Sequence, residues 1–126
     1  MHQPHLLPKL RSKHYTDSIQ GMPCTLRIAG LVGRRCADRA TVVPAHIPTI
    51  GKGVATKVSD LFVVAACFEC HLLLDWQDPN VSEMLFRTGP NHMTQAAIWR
   101  VVHALAETQS ILLGADVIQV PRSEII

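Results

Sequence analysis

Apolar positions along this chain fall into short runs separated by turn-forming residues, and their spacing predicts a few strands and one long helix. Residues 22–29, Met-Pro-Cys-Thr-Leu-Arg-Ile-Ala, alternate loosely and read as a strand. Gly30 to Arg39 reads as a turn region around Gly33. Ala40 to His46 contains Thr-Val-Val and reads as a second strand, with Pro44 near its end suiting an edge. Residues 47–60 read as a loop, punctuated by Pro48, Gly51 and Gly53 and charged by Lys52 and Lys57. Leu61 to Ala66 is a short apolar run. A helix is expected from about Phe68 through His71 to Trp76, stopped by Pro79. Asn80 or Ser82 then suits the cap of a short helix ending at Gly89. The longest helix is expected over 92–113, capped by Asn91 and ended by Gly114. Its apolar face would hold Ile98, Val101, Val102, Leu105 and Leu112, with Ala97 and Ala106 beside them. Val117 to Val120 reads as a last strand closed by Pro121. The fold class is therefore α+β.

Outside these runs the pattern changes. Residues 1–20 are polar and carry Pro4, Pro8, His2, His5 and His14, which predicts a flexible arm pinned by Leu6, Leu7 and Leu10. Residues 21–120 make one domain, and 121–126 a tail. The chain has 126 residues, 48% hydrophobic and 17% charged, which excludes a disordered class. Aromatic residues are only 5%, so the core must be built from Val, Leu, Ile and Ala. No run approaches the roughly 18 apolar residues of a membrane span, so no membrane role is expected. The first residues lack an apolar signal core, which places the chain in the cytoplasm. Paired disulfides are disfavoured there, so a C-x2-C reads as a metal knuckle.

Net charge is only +2, but it is unevenly placed. Nine of the 12 basic residues precede Cys67, against Asp17, Asp38 and Asp60 on the acidic side. A basic front half suits a phosphate backbone, although a solvated basic surface explains it equally well.

The chemistry-bearing residues cluster in the same half. All 4 cysteines lie between Cys24 and Cys70. Zinc takes four thiolate or imidazole ligands in a tetrahedron, commonly with one pair from a tight knuckle. Cys67 and Cys70 supply that knuckle, and Cys24 and Cys36 can join it if residues 22–46 fold back. The plain alternative is four unrelated buried thiols. His46 sits in Pro-Ala-His-Ile, where it can act as a general base or be a core histidine. His71 follows Cys70 directly, and on its own would be an exposed helix residue. Asp60, alone, would be a turn or cap residue.

Order and spacing of these pieces resemble the HNH, or ββα-metal, nucleases, including the endonuclease VII-like type. They are most similar to the YbcO-like prophage proteins, a family read as nucleases. The residues carrying the likeness are Cys24-Thr-Leu-Arg27-Ile28-Ala-Gly30, Ala45-His46-Ile47, Thr56-Lys57, Asp60-Leu61 and Ala66-Cys67-x2-Cys70-His71. They span about residues 22–75, and Thr108-Gln109 matches more loosely. The resemblance implies a small zinc-stapled ββα core with an additional long C-terminal helix. It puts His46 in the place of the general base, Asp60 near the middle Asn or His, and His71 on the last histidine, often a ligand of a catalytic cation. Two positions depart from the pattern. Ala45 stands where many HNH enzymes have a metal ligand, and Cys36 comes late.

These readings set the functional expectations. The first is an endonuclease of phage or prophage origin in a bacterial host, with structural zinc and a catalytic Mg or Mn. Its nucleic-acid partner, expected to be DNA, would be held by Arg34, Arg35, Lys52 and Lys57. The apolar C-terminal helix and tail could also support a homodimer. The first rival is a non-catalytic zinc module that binds DNA or a recombination or replication partner. The second is a redox protein using Cys67 and Cys70, which requires a metal-free knuckle.

Overall fold

The computed structural model describes residues 9–47, 58–75, 77–87 and 92–121. It is an α+β fold with one two-stranded antiparallel sheet, β1 (Val43–His46) and β2 (Val63–Ala66). Among the described residues there are four α-helices: α1 (Lys13–Asp17), α2 (Phe68–Leu74), α3 (Ser82–Leu85) and α4 (Gln95–Gly114), of which α2 and α4 pack on β2. The core is built around β2, whose four residues are all fully buried.

Sheet register runs from Val43 opposite Ala66 to His46 opposite Val63. Pro44 lies opposite Ala65. This is a place where its missing N–H costs nothing, because the Ala65 backbone faces away from β1. The Ala65 carbonyl accepts from Thr25 N (2.9 Å) and Leu26 N (3.1 Å). The Ala65 N–H reaches Thr25 Oγ1 (3.1 Å) and Thr108 Oγ1 (3.4 Å). The two hydroxyls also bond each other at 2.8 Å, and Thr108 donates to Ala104 O. A buried threonine pair therefore satisfies the outer edge of β2 and locks α4 against it.

That arrangement corrects the strand expected over 22–29. The segment meets β2 at one point and does not pair along it. Arg27 takes a left-handed conformation (φ 47°), and a 3-10 helix follows over Ile28–Val32. Its apolar residues are buried as expected, but by a turn and not by a pleat. The strand expected over 117–120 is also absent. The chain turns back at Asp116 (φ 61°), and the N–H groups of Val117 and Ile118 cap the carbonyl of Leu112 at 2.9 and 3.1 Å. Asp116, not Gly114, is the left-handed residue that closes α4; Gly114 is still helical.

Helix α4 starts later than expected. Thr94 is its cap, accepting from Ala97 N at 3.3 Å; Asn91 lies outside the described residues. Its buried face is also rotated from the expected one, holding Ala97, Val101, Ala104, Thr108 and Leu112. Ile98 and Val102 are exposed. Small residues win the inner face because the Thr108 bonds draw the helix backbone close to β2. Helix α2 closes at Leu74, ahead of Pro79, and α3 covers only the first part of the short helix expected up to Gly89.

The arm expected over 1–20 is docked through its described part. Ser12 caps α1 by accepting from Tyr15 N, and Tyr15 and Ile19 are buried in the core. Leu10 N donates to Ser59 Oγ (3.0 Å), and Asp60 N donates to Leu10 O (2.9 Å).

Candidate metal centre and histidine–aspartate pair

Three separate segments bring the cysteines together. Cys67 is the cap residue of α2, and its Sγ accepts from Cys70 N at 3.4 Å. The knuckle is thus the first turn of a helix. Cys24 precedes the crossing at Ala65, and its Sγ accepts from Cys67 N at 3.4 Å. Cys36 comes from the loop after the 3-10 helix. Gly33 turns that loop in a left-handed conformation (φ 73°), and Ala37 N donates to Cys67 Sγ at 3.3 Å. Arg34 fixes the loop by ion pairs to Glu69 in α2 (2.7 Å) and to Asp78 beyond its end (2.6 Å). The same guanidinium, its first cause, holds the Asp78 carboxyl below its ordinary range.

All four Sγ atoms lie within 4.8 Å of one another, and Cys36 Sγ is 3.8 Å from Cys70 Sγ. A tetrahedron with Zn–S near 2.3 Å has S–S edges of about 3.8 Å. The group can hold a metal ion, and four thiolates at this spacing suit zinc. The thiols are electrostatically unequal. A hydrogen bond from Cys70, aided by the Arg27 and Cys67 amides, pulls Cys24 down to about 4 against the effect of its burial. Burial, and then the charge of Cys24, pushes Cys36 up to about 11. Cys70 is raised because it gives its proton to that bond and is buried. A divalent cation bound among them would relieve the repulsion between neighbouring thiolates.

The second constellation was only half legible in the sequence. His46 ends β1, and Asp60 opens a 3-10 turn, Asp60–Phe62, whose cap Ser59 accepts from Leu61 N. Pairing of Ile47 N with Phe62 O (2.9 Å) aligns the two segments. His46 Nε2 then lies 3.0 Å from Asp60 Oδ1, and Asp60 Oδ2 accepts from Ser12 N at 2.8 Å. Burial works to raise the Asp60 pKa, but the Ser12 N–H, His46 and Arg11 outweigh it and hold it low. An ionised carboxylate only accepts, so His46 Nε2–H is the donor of this bond. The His46 side chain is 39% exposed while that of Asp60 is 10%. Tyr15 lies nearby, its phenol raised by burial and by the Asp60 charge.

His71 is held by a different carboxylate, Asp75, at 3.3 Å. Among the described residues the cysteines form the only group of three or more ligand atoms close enough for a metal, so His46, Asp60 and His71 do not converge on one cation. Of the four expected nucleic-acid contacts, Arg34 is engaged with Glu69 and Asp78, Arg35 is exposed, and Lys52 and Lys57 lie outside the described residues. A cluster not expected from sequence lies on α4. Glu107 Oε1 takes Arg27 Nη2 (2.5 Å), Arg100 Nη2 (2.8 Å) and His103 Nε2 (2.9 Å). Helical spacing of Arg100, His103 and Glu107 was the available signal.

No family model matches the chain, and none of the curated proteins does. Among solved structures it is similar to a "putative bacteriophage protein" from Escherichia coli strain K-12 substrain MG1655, at 26% identity and a TM-score of 0.50. The match covers 80% of this chain and 98% of that one. No helix among the described residues is long and apolar enough to cross a membrane.

Proposed function

We propose that this chain is a metal-dependent phosphodiester hydrolase of phage or prophage origin, in which His46 activates the attacking water. The observation that carries the reading is the His46–Asp60 pair. A carboxylate that accepts from Nε2 orients the imidazole, and a ring 39% exposed can take a proton from water. The order β1, β2, α2, with the base ending β1, supports an HNH-like core. Likeness to a phage protein supports the phage origin. Cys24, Cys36, Cys67 and Cys70 would hold a structural zinc, which supplies folding energy and no step of the chemistry. A Mg or Mn ion would stabilise charge on the phosphate, with the substrate, DNA in this reading, completing its coordination. Arg35, Lys52 and Lys57 would contact the backbone without reading sequence. The test is cleavage of plasmid and single-stranded DNA with Mg or Mn. His46→Ala should lose about 10²–10⁴-fold in rate at unchanged zinc content, and cleavage at the wild-type rate would remove His46 from the mechanism.

One observation favours a second reading. Ala45 is 1% exposed and offers no ligand, and no preformed cation site adjoins His46 among the described residues. A non-catalytic zinc module that binds DNA would show salt-dependent binding and no cleavage with any cation.

A further inference from the structure

Helix α4 carries more apolar surface than its own domain covers. Beside the buried face runs a second apolar stripe that faces solvent, with Ile98 47% exposed, Trp99 63% and Val102 52%. Positions Gln95, Ile98, Val102, Leu105 and Gln109 follow one another at alternating steps of three and four residues, with Leu105 already partly buried against the core. This is the spacing at which one helix packs along another at a shallow angle. None of these five residues is charged, and neither is Trp99 on their flank. A phosphate backbone or an anionic lipid surface therefore finds no counter-charge here. The charged groups of α4 sit on another side, gathered on Glu107.

The geometry points to a second copy of this chain as the occupant, with α4 packed antiparallel on the α4 of its partner. Two features select a self-pair. The polarity of the stripe reads the same in both directions, Gln, then Ile, Val and Leu, then Gln. A two-fold axis across its middle sets apolar on apolar and leaves glutamines at the rims, as an isologous contact requires. The second feature is area. Leu61, 43% exposed, adjoins the far end of the stripe, where Gln109 Nε2 donates to its carbonyl at 3.2 Å, and Phe62 follows it at 42%. With Ile98, Trp99 and Val102, these side chains expose on the order of 500 Å² per copy, or about 1,000 Å² for the pair, the lower bound of specific interfaces. That size fits a reversible dimer.

Sedimentation equilibrium of the full chain from about 5 to 500 μM tests it, a range set for a micromolar dissociation constant. The mass should rise from 13.9 kDa towards twice that value. Ile98→Glu and Val102→Glu should each remain monomeric throughout, weakening association at least 100-fold, with unchanged circular dichroism. Both side chains face solvent in the single chain, so folding should tolerate the change. Trp99 emission should shift to the blue with concentration in the wild type alone. A wild type that stays monomeric at the highest concentration overturns the proposal. A dimer that persists in both glutamate variants overturns it by placing the interface elsewhere. A monomer that binds phosphatidylcholine vesicles through Val102 overturns it in favour of a lipid occupant.

Discussion

At Asp60 one carboxylate performs two tasks, capturing the Ser12 amide with Oδ2 and fixing His46 with Oδ1. Asp60→Asn keeps the shape but removes the charge from both bonds. Bonds to a charged acceptor contribute about 1.5–3 kcal/mol, so the variant should be destabilised by about that much near neutral pH. The sign of the pH dependence follows from the native pKa, which is held low. Stability from such a group is fully present above the unfolded-state value and is lost as pH falls through the lower native one. The gap between wild type and variant should therefore hold down to about pH 4 and close below it. Urea titrations of both proteins at matched metal content check this, and a gap unchanged at pH 2.5 would mean that the native fold does not lower the Asp60 pKa. Asp60→Asn should also lower any nuclease rate, because the amide can hold His46 in the wrong tautomer.

Between elements, the joint that matters most is the Thr25–Thr108 pair on the edge of β2. Either Thr→Val change strands a buried hydroxyl or amide and should cost about 1–3 kcal/mol, whereas the double change should cost less than the sum. A double-mutant cycle by thermal unfolding gives the coupling, and strict additivity would show that the hydroxyls do not interact. This joint also explains what the sequence could and could not reveal. Periodicity located β1, α2 and α4, because each is a local run whose burial follows its own pattern, and it marked Leu61 to Ala66, which holds β2, only as an apolar run. It failed over residues 22–29, where the same alternation is satisfied by one crossing at Ala65 followed by a left-handed Arg27. It misplaced the inner face of α4 because apolar content alone favours Ile98 and Val102, while hydrogen bonds from Thr108 choose the small-residue side. The four cysteines were legible as a set because their residue type carries the chemistry. The partner of His46 was not, since nothing local in the sequence marks Asp60 as more than a turn residue.

For the molecule as a whole, the four-cysteine cluster joins three segments that are far apart in sequence. It ties the segment crossing β2, the loop after the 3-10 helix and the first turn of α2. In a domain of this size a metal bound there would supply a large share of total stability, because the site does not exist in the unfolded chain and metal-binding energy would become folding energy. Cys67→Ser removes a buried ligand and the acceptor for both Ala37 N and Cys70 N. It should lower Tm by far more than 10 °C or prevent folding, and chelator should do the same to the wild type. Cys36 is exposed and reaches the cluster from a loop that Arg34 also holds. Cys36→Ser should therefore be milder, folding with weakened metal affinity. Metal analysis alongside calorimetry separates these outcomes, and chelator-insensitive melting of the wild type would rule out a structural ion. The order of effects also separates scaffold from chemistry. Loss of Cys67 should abolish zinc, fold and nucleic-acid binding together, whereas His46→Ala should leave all three and remove only hydrolysis. If His46→Ala instead lost zinc or melted as Cys67→Ser does, the histidine would belong to the scaffold, and the non-catalytic reading would take precedence.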